Sequence, residues 1–173
     1  SGQGISCIPT DASVPCQLTA LLSVTQLVSL NLSGNRLCAN GAALLKLLQA
    51  LPRLASLLLA DNDFDAQAGL QILAPALHVL TGLTLLDLSG NTLGSKWEKT
   101  DGVLQGFAGA LSGCNMLTSL DISRLALDVA SIPIAADVIR QLTGLRSLSL
   151  SALGLRPAGG TFPDLSPIVQ VLY

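Results

Sequence analysis

Aromatic side chains make up only 3% of this 173-residue chain and charged ones only 12%. The first scarcity means that a core must be filled by leucine and alanine through many similar contacts, without a few large rings to anchor it. The second scarcity removes classes of partner. Nine lysines and arginines against eleven aspartates and glutamates give a formal charge of −2. There is no basic field to hold a phosphate backbone and no acidic run to mimic one, so nucleic acid is not an expected partner.

Catalytic signatures are missing as well. No GxxxxGK[ST], HExxH or GxSxG occurs. The one histidine, His78, has no serine or cysteine nucleophile motif beside it and reads as a solvated helix residue. Asp61, Asp63 and Asp65 alternate as in the first half of a calcium loop. Ala66 stands where that loop needs glycine and Ile72 where it needs glutamate, so the three read as a solvated turn. Neither an enzyme nor a metal or other cofactor is expected.

Cys7, Cys16, Cys38 and Cys114 show none of the close spacings of a zinc site. Cys38 and Cys114 lie two repeats apart, roughly 10 Å for strands stacked about 4.8 Å apart, which is too far for a bridge. Cys7 with Cys16 is the one pairing left open. The start, Ser1-Gly2-Gln3-Gly4, has no basic stretch leading into an apolar one. No secretory signal is visible, and an intracellular, cytoplasmic location is expected. Residues 66–86 carry no charge and are long enough to span a bilayer. Pro75 and Gly82 interrupt them, however, and their leucines fall into the register of a repeat, so no membrane association is expected.

What the chain does have is leucine at fixed spacing. Leu27, Leu30, Leu32, Asn35 and Leu37 are followed in the same register by Leu54, Leu57, Leu59, Asn62 and Phe64, and by Leu83, Leu86, Leu88, Asn91 and Leu93. Two further copies, Leu117, Leu120, Ile122, Leu125, Leu127 and Leu145, Leu148, Leu150, Leu153, Leu155, put leucine in place of the asparagine. The pattern is LxxLxLxxNxL, with starts 27, 29, 34 and 28 residues apart. Counting back from each start finds apolar residues at −10, −7, −6 and −3: Leu44, Leu47, Leu48, Leu51; Leu73, Ala76, Leu77, Leu80; Phe107, Ala110, Leu111, Cys114; and Ala135, Val138, Ile139, Leu142. That spacing is one face of a helix. Ala20, Leu21 and Val24 hold three of the same places before the first full copy, with Gln17 in the fourth.

In this pattern the chain resembles the leucine-rich-repeat family over about Leu27 to Leu155, and its repeat length is similar to that of the ribonuclease-inhibitor-like class. The resemblance implies an α/β, right-handed solenoid, with a parallel sheet on a concave face and helices on a convex face. The organisation expected is one domain: 1–26 a partial, degenerate repeat, 27–53, 54–82, 83–116 and 117–144 full repeats, and 145–173 the last. A single coil cannot bury its leucines alone, so such arrays depend on their neighbours and on polar caps at the ends. No obvious cap is present, and a segment of a longer protein with flanking domains is expected.

The asparagines are expected to point inward and satisfy backbone groups left over where the strand turns. Leu125 and Leu153 cannot do this, so the last two turns must be satisfied in another way. Strand positions pointing away from the core form the family's usual binding surface. Here they are Ser29, Asn31, Ser33; Ser56, Leu58, Ala60; Leu85, Asp87, Ser89; Ser119, Asp121, Ser123; and Ser147, Ser149, Ser151. This face has no Trp, Tyr or Arg, the usual interface anchors, so a bland surface with no tight ligand is as admissible as a binding one. If it binds, Leu58 and Leu85 flanked by Asp87 and Asp121 form its centre. Asn31 begins a glycosylation sequon on the same face, which reads as accidental because a glycan would obstruct the surface.

The third repeat is longer by about half a dozen residues and holds the only tryptophan, Trp97, amid Lys96, Glu98, Lys99 and Asp101. Trp97 either stands out as an anchor or folds back over the stretched coil. The function expected is a non-catalytic scaffold presenting this face and this loop to a protein partner. The alternative, implied by resemblance to the Ran GTPase-activating protein and to NOD-like receptors, is a regulatory array.

Overall fold

The computed structural model describes Leu18 and residues 21–91, 109–125 and 132–152. Trp97, Cys7, Cys16 and the paired-cysteine question lie outside these residues. Five strands of three residues each, β1 (Ser29–Asn31), β2 (Ser56–Leu58), β3 (Leu85–Asp87), β4 (Ser119–Asp121) and β5 (Ser147–Ser149), form one parallel sheet in chain order. The register follows the repeat. Leu30, Leu57, Leu86, Leu120 and Leu148 are successive partners, as are Asn31, Leu58, Asp87, Asp121 and Ser149.

Between strands the chain returns through helices: α1 (Gly41–Gln49), α2 (Ala66–Val79) and α3 (Ile132–Gln141), with residues 109–112 also helical. Leu44, Leu47, Leu48 and Leu51 are fully buried, as are Leu73, Ala76, Leu77 and Leu80 to within 1% exposure. They meet the strand leucines in a continuous core. Among the repeat-initial leucines, Leu54, Leu83 and Leu117 are buried, while Leu27 and Leu145, in the outermost described coils, are only partly so. Each coil re-enters its strand by the same tight turn. Leu27, Leu54, Leu83, Leu117 and Leu145 each donate their N–H to the carbonyl three residues earlier.

The uncharged stretch 66–86 is not one rod. It divides into α2, a turn and β3, and no helix among the described residues is long and apolar enough to cross a membrane. Pro75, expected to interrupt the segment, lies inside α2 instead. Its side chain is exposed, on the helix side where water can satisfy the carbonyl that a proline cannot bond.

Gly41 sets the distance between two helices. A Cβ there would strike the side chain of Ile72, so the start of α1 packs against α2 more closely than any larger residue allows.

Candidate functional site

The sheet turns one face to the helices, and the alternation of strand side chains puts Ser29, Asn31, Ser56, Leu58, Leu85, Asp87, Ser119, Asp121, Ser147 and Ser149 on the other. Leu58, Leu85, Asp87 and Asp121 are each partly exposed and Asn31 is exposed. Leu58 pairs with Asp87, and Asp87 with Asp121, so an apolar side chain and two carboxylates occupy consecutive rungs of one column. Leu85 lies on the adjacent column, in register with Ser56 and Ser119.

In the three central triplets of the expected outward set the last residue does not belong to this face. Ala60, Ser89 and Ser123 are 8%, 7% and 5% exposed, so the available surface is two residues wide on β2, β3 and β4, while Ser33 is partly exposed and Ser151 exposed. Three residues of the column before the turn cap it with a side-chain oxygen. Asn31 Oδ1 accepts the N–H of Ser33 (3.0 Å), Asp87 Oδ1 that of Ser89 (2.9 Å) and Asp121 Oδ1 that of Ser123 (2.9 Å). Asn31, Asp87 and Asp121 therefore hold their own turns as well as facing outward, each through one oxygen.

Past the strands the coils are tied by two ladders. Backbone pairing continues beyond the sheet: Gly34, Asp61, Gly90 and Arg124 donate to the carbonyls of Ala60, Ser89, Ser123 and Ser151. Inside this runs a ladder of asparagines. Asn62 Oδ1 accepts the N–H of Asn35 at 2.9 Å and lies 3.4 Å from that of Leu37, while its Nδ2 donates to Leu32 and Ala60 carbonyls. Asn91 repeats this toward Asn62 and Phe64, with Nδ2 directed to the Leu59 and Leu88 carbonyls. The asparagines thus join neighbouring coils, beyond the local role expected of them. At Leu125 the side-chain ladder stops. The backbone ladder carries on, and the hydroxyls of Ser123, Ser149 and Ser151 cluster beside it, with Oγ separations of 2.6 and 3.1 Å.

One recurring feature had no compositional signal. The eighth residue of every coil, Gly34, Asp61, Gly90, Arg124 and Ala152, is left-handed, with φ between 52° and 73°. Side chains from this column interact along it: Asp61 pairs with Arg124 at 3.4 Å, and two positions on, Asp63 lies 4.0 Å from Arg36. Two members of the calcium-like trio therefore face arginines. His78 is exposed on α2. Cys114 is a free, fully buried thiol whose burial pushes its pKa above the usual 9.0.

No family model matches the sequence, and no curated protein matches it. Solved structures do. The tropomodulin C-terminal domain of Caenorhabditis elegans superposes with a TM-score of 0.62 at 12% identity, covering 93% of this chain and 92% of that one. A leucine-rich-repeat-containing protein of Legionella pneumophila, LegL7, gives 0.50 at 20% identity over 91% of this chain. The match covers 58% of the Legionella chain. At such identities the likeness is one of architecture, and with the sheet register and the returning helices it assigns the chain an α/β leucine-rich-repeat solenoid fold.

Proposed function

We propose that this chain is a non-catalytic interaction scaffold of the ribonuclease-inhibitor-like class, which presents the open face of its sheet to a protein partner. The observation that supports this reading most directly is the register. It gathers partly exposed Leu58 and Leu85 beside Asp87 and Asp121 on three adjacent strands, with Asn31 at the margin. A rigid sheet presents these side chains without further ordering of its backbone, which lowers the entropy cost of association. The two leucines supply apolar area and the two carboxylates a preference for a basic or donor-rich partner. Trp97, in the inserted loop of the third repeat, is proposed as a second contact. Repeat lengths near 28 residues and returning helices support the class. An intracellular setting and flanking domains of the same polypeptide complete the proposal.

The test is affinity capture with wild type and with a Leu58→Arg/Leu85→Arg double variant, each confirmed as folded by circular dichroism and thermal melting. Specific partners are expected to be lost from the double variant. Retention of all of them by a folded double variant removes the sheet face from the reading, and a parallel Trp97→Ala variant tests the loop.

A further inference from the structure

Of the six asparagines in this sequence, only Asn40 is followed by glycine. It stands at the cap of α1, where an asparagine side chain ordinarily accepts a backbone N–H of the first turn. Here it makes no capping bond, and it is partly exposed. Asn35, Asn62 and Asn91 are at most 3% exposed and tied to carbonyls through Nδ2, and Asn31 closes its own turn. The Asn40 carboxamide has no such tie, and the next backbone nitrogen, that of Gly41, has no side chain to shield it.

A carboxamide in this setting can react with its own backbone. The deprotonated Gly41 nitrogen attacks Asn40 Cγ. An N–Cγ bond forms, the Cγ–Nδ2 bond breaks and ammonia leaves, which closes a five-membered succinimide. Water then opens the ring in one of two ways. Cleavage at Cγ gives aspartate with the main chain unchanged. Cleavage at the backbone carbonyl gives isoaspartate, in which Gly41 is attached through Cγ and the main chain is longer by one carbon.

The folded backbone gates the first step. At φ −113° and ψ 24°, Asn40 holds the Gly41 nitrogen nearly opposite its own Cβ, so ring closure requires rotation about ψ and local opening at the start of α1. The packing makes the second step one-way. Gly41 is buried and fits against Ile72 with no room to spare, so an extra main-chain carbon just before it prevents that contact from closing with α1 in register. Aspartate has the opposite effect, because it keeps the chain length and places a carboxylate at a helix N-terminus, where it is favourable.

We propose that the Asn40–Gly41 linkage is a self-modification site, at which succinimide formation in the locally opened chain and hydrolysis to isoaspartate release the start of α1 from α2. Water is the only co-reactant. The change falls on the helical layer, away from the open face of the sheet, and the proposal stands independently of the function proposed above.

The experiment is incubation of the purified full chain in mildly alkaline buffer, followed by peptide mapping. Mass spectrometry reads the exchange of NH2 for OH, and fragmentation across the Cα–Cβ bond identifies isoaspartate. Asn40 is expected to convert several-fold faster than exposed Asn115, which is followed by Met116, and faster still in sub-denaturing urea. The isolated isoaspartate fraction should melt below the unmodified chain, whereas Asn40→Asp should melt with it or above it. An Asn40 that stays intact in the folded chain while the urea-unfolded chain converts overturns the proposal. So does an isoaspartate fraction that melts with the unmodified chain, and so does an equal loss in Asn40→Asp, which would assign the effect to charge.

Discussion

Arg124 holds Asp61 across the full width of the coil that separates them. Its two terminal nitrogens each lie 3.4 Å from a carboxylate oxygen, and Gly90 lies directly beneath the pair. The two charged residues are partners two coils apart because the glycine between them has no side chain to intervene. Both are about half exposed, so the ion pair itself contributes at most about 1 kcal/mol. Its value here is as a measure of how closely the column is stacked.

Gly90→Ala is expected to cost more than Gly34→Ala, although both glycines have similar backbones, at φ +67° and +73°. A methyl group at position 34 meets nothing within 4 Å, whereas at position 90 it would strike the Asp61 carboxylate and come within 3.0 Å of Arg124 Nη2. Gly34→Ala should therefore show only the left-handed penalty of about 1–2 kcal/mol, and Gly90→Ala a larger loss. Urea denaturation of the two variants measures the difference. Equal costs would mean that the Asp61–Arg124 pair yields freely.

Ala152→Gly is expected to stabilise the chain. Ala152 is held at φ +53°, and relief of that strain outweighs the extra freedom a glycine gives the unfolded chain by roughly 0.5–1 kcal/mol. The check is a rise in thermal midpoint, with Ala136→Gly, inside α3, as a control that should fall.

Asn62→Ala should be among the most damaging single substitutions outside the leucines. It leaves the buried N–H of Asn35 without its acceptor, at about 1–3 kcal/mol, and removes one of the two side-chain donors to the Leu32 carbonyl. Ser56→Ala, on the open face, should change the urea midpoint very little. A similar small change for Asn62→Ala would show that the ladder is dispensable.

Cys114 makes stability depend on alkaline pH. Burial keeps the native thiol protonated above 9.0, its usual value, while the unfolded chain releases the proton there. The native state then binds more protons than the unfolded state, so stability falls as pH rises through and beyond about 9. Urea midpoints at pH 8 and pH 10 should fall further in wild type than in Cys114→Ala, because the variant retains every other titrating group. The native thiol should also resist alkylation until the chain unfolds.

Much of the fold could be read from leucine spacing, because burial in a stacked coil is decided by position within the coil. Leu44, Leu47, Leu73 and Leu77 line the helical side of the core, and Leu57, Leu86 and Leu120 its strand side, as a period of 3.6 residues and a period of two require. The site was legible to the extent that strand alternation held. It failed at Ala60, Ser89 and Ser123, where the backbone turns inward after only three strand residues. The left-handed column was invisible because glycine, aspartate, arginine and alanine share no side-chain chemistry. What they share is a backbone turn imposed by the coils on either side. Asn62 and Asn91 were recognisable as inward residues, but their oxygens bond to the previous coil, 27 to 29 residues away in sequence, a distance that local reasoning does not reach.

The skipped contact between Asp61 and Arg124 also makes the array sensitive to its own arithmetic. A duplication of residues 83–116 would insert another strand spacing, about 4.8 Å, between the two charges. Every neighbouring-coil bond would re-form around the new unit, yet this pair could not. An expansion here would thus leave an unmatched arginine and an unmatched aspartate on the surface, the mark of an altered number of repeats in a chain whose core looked unchanged.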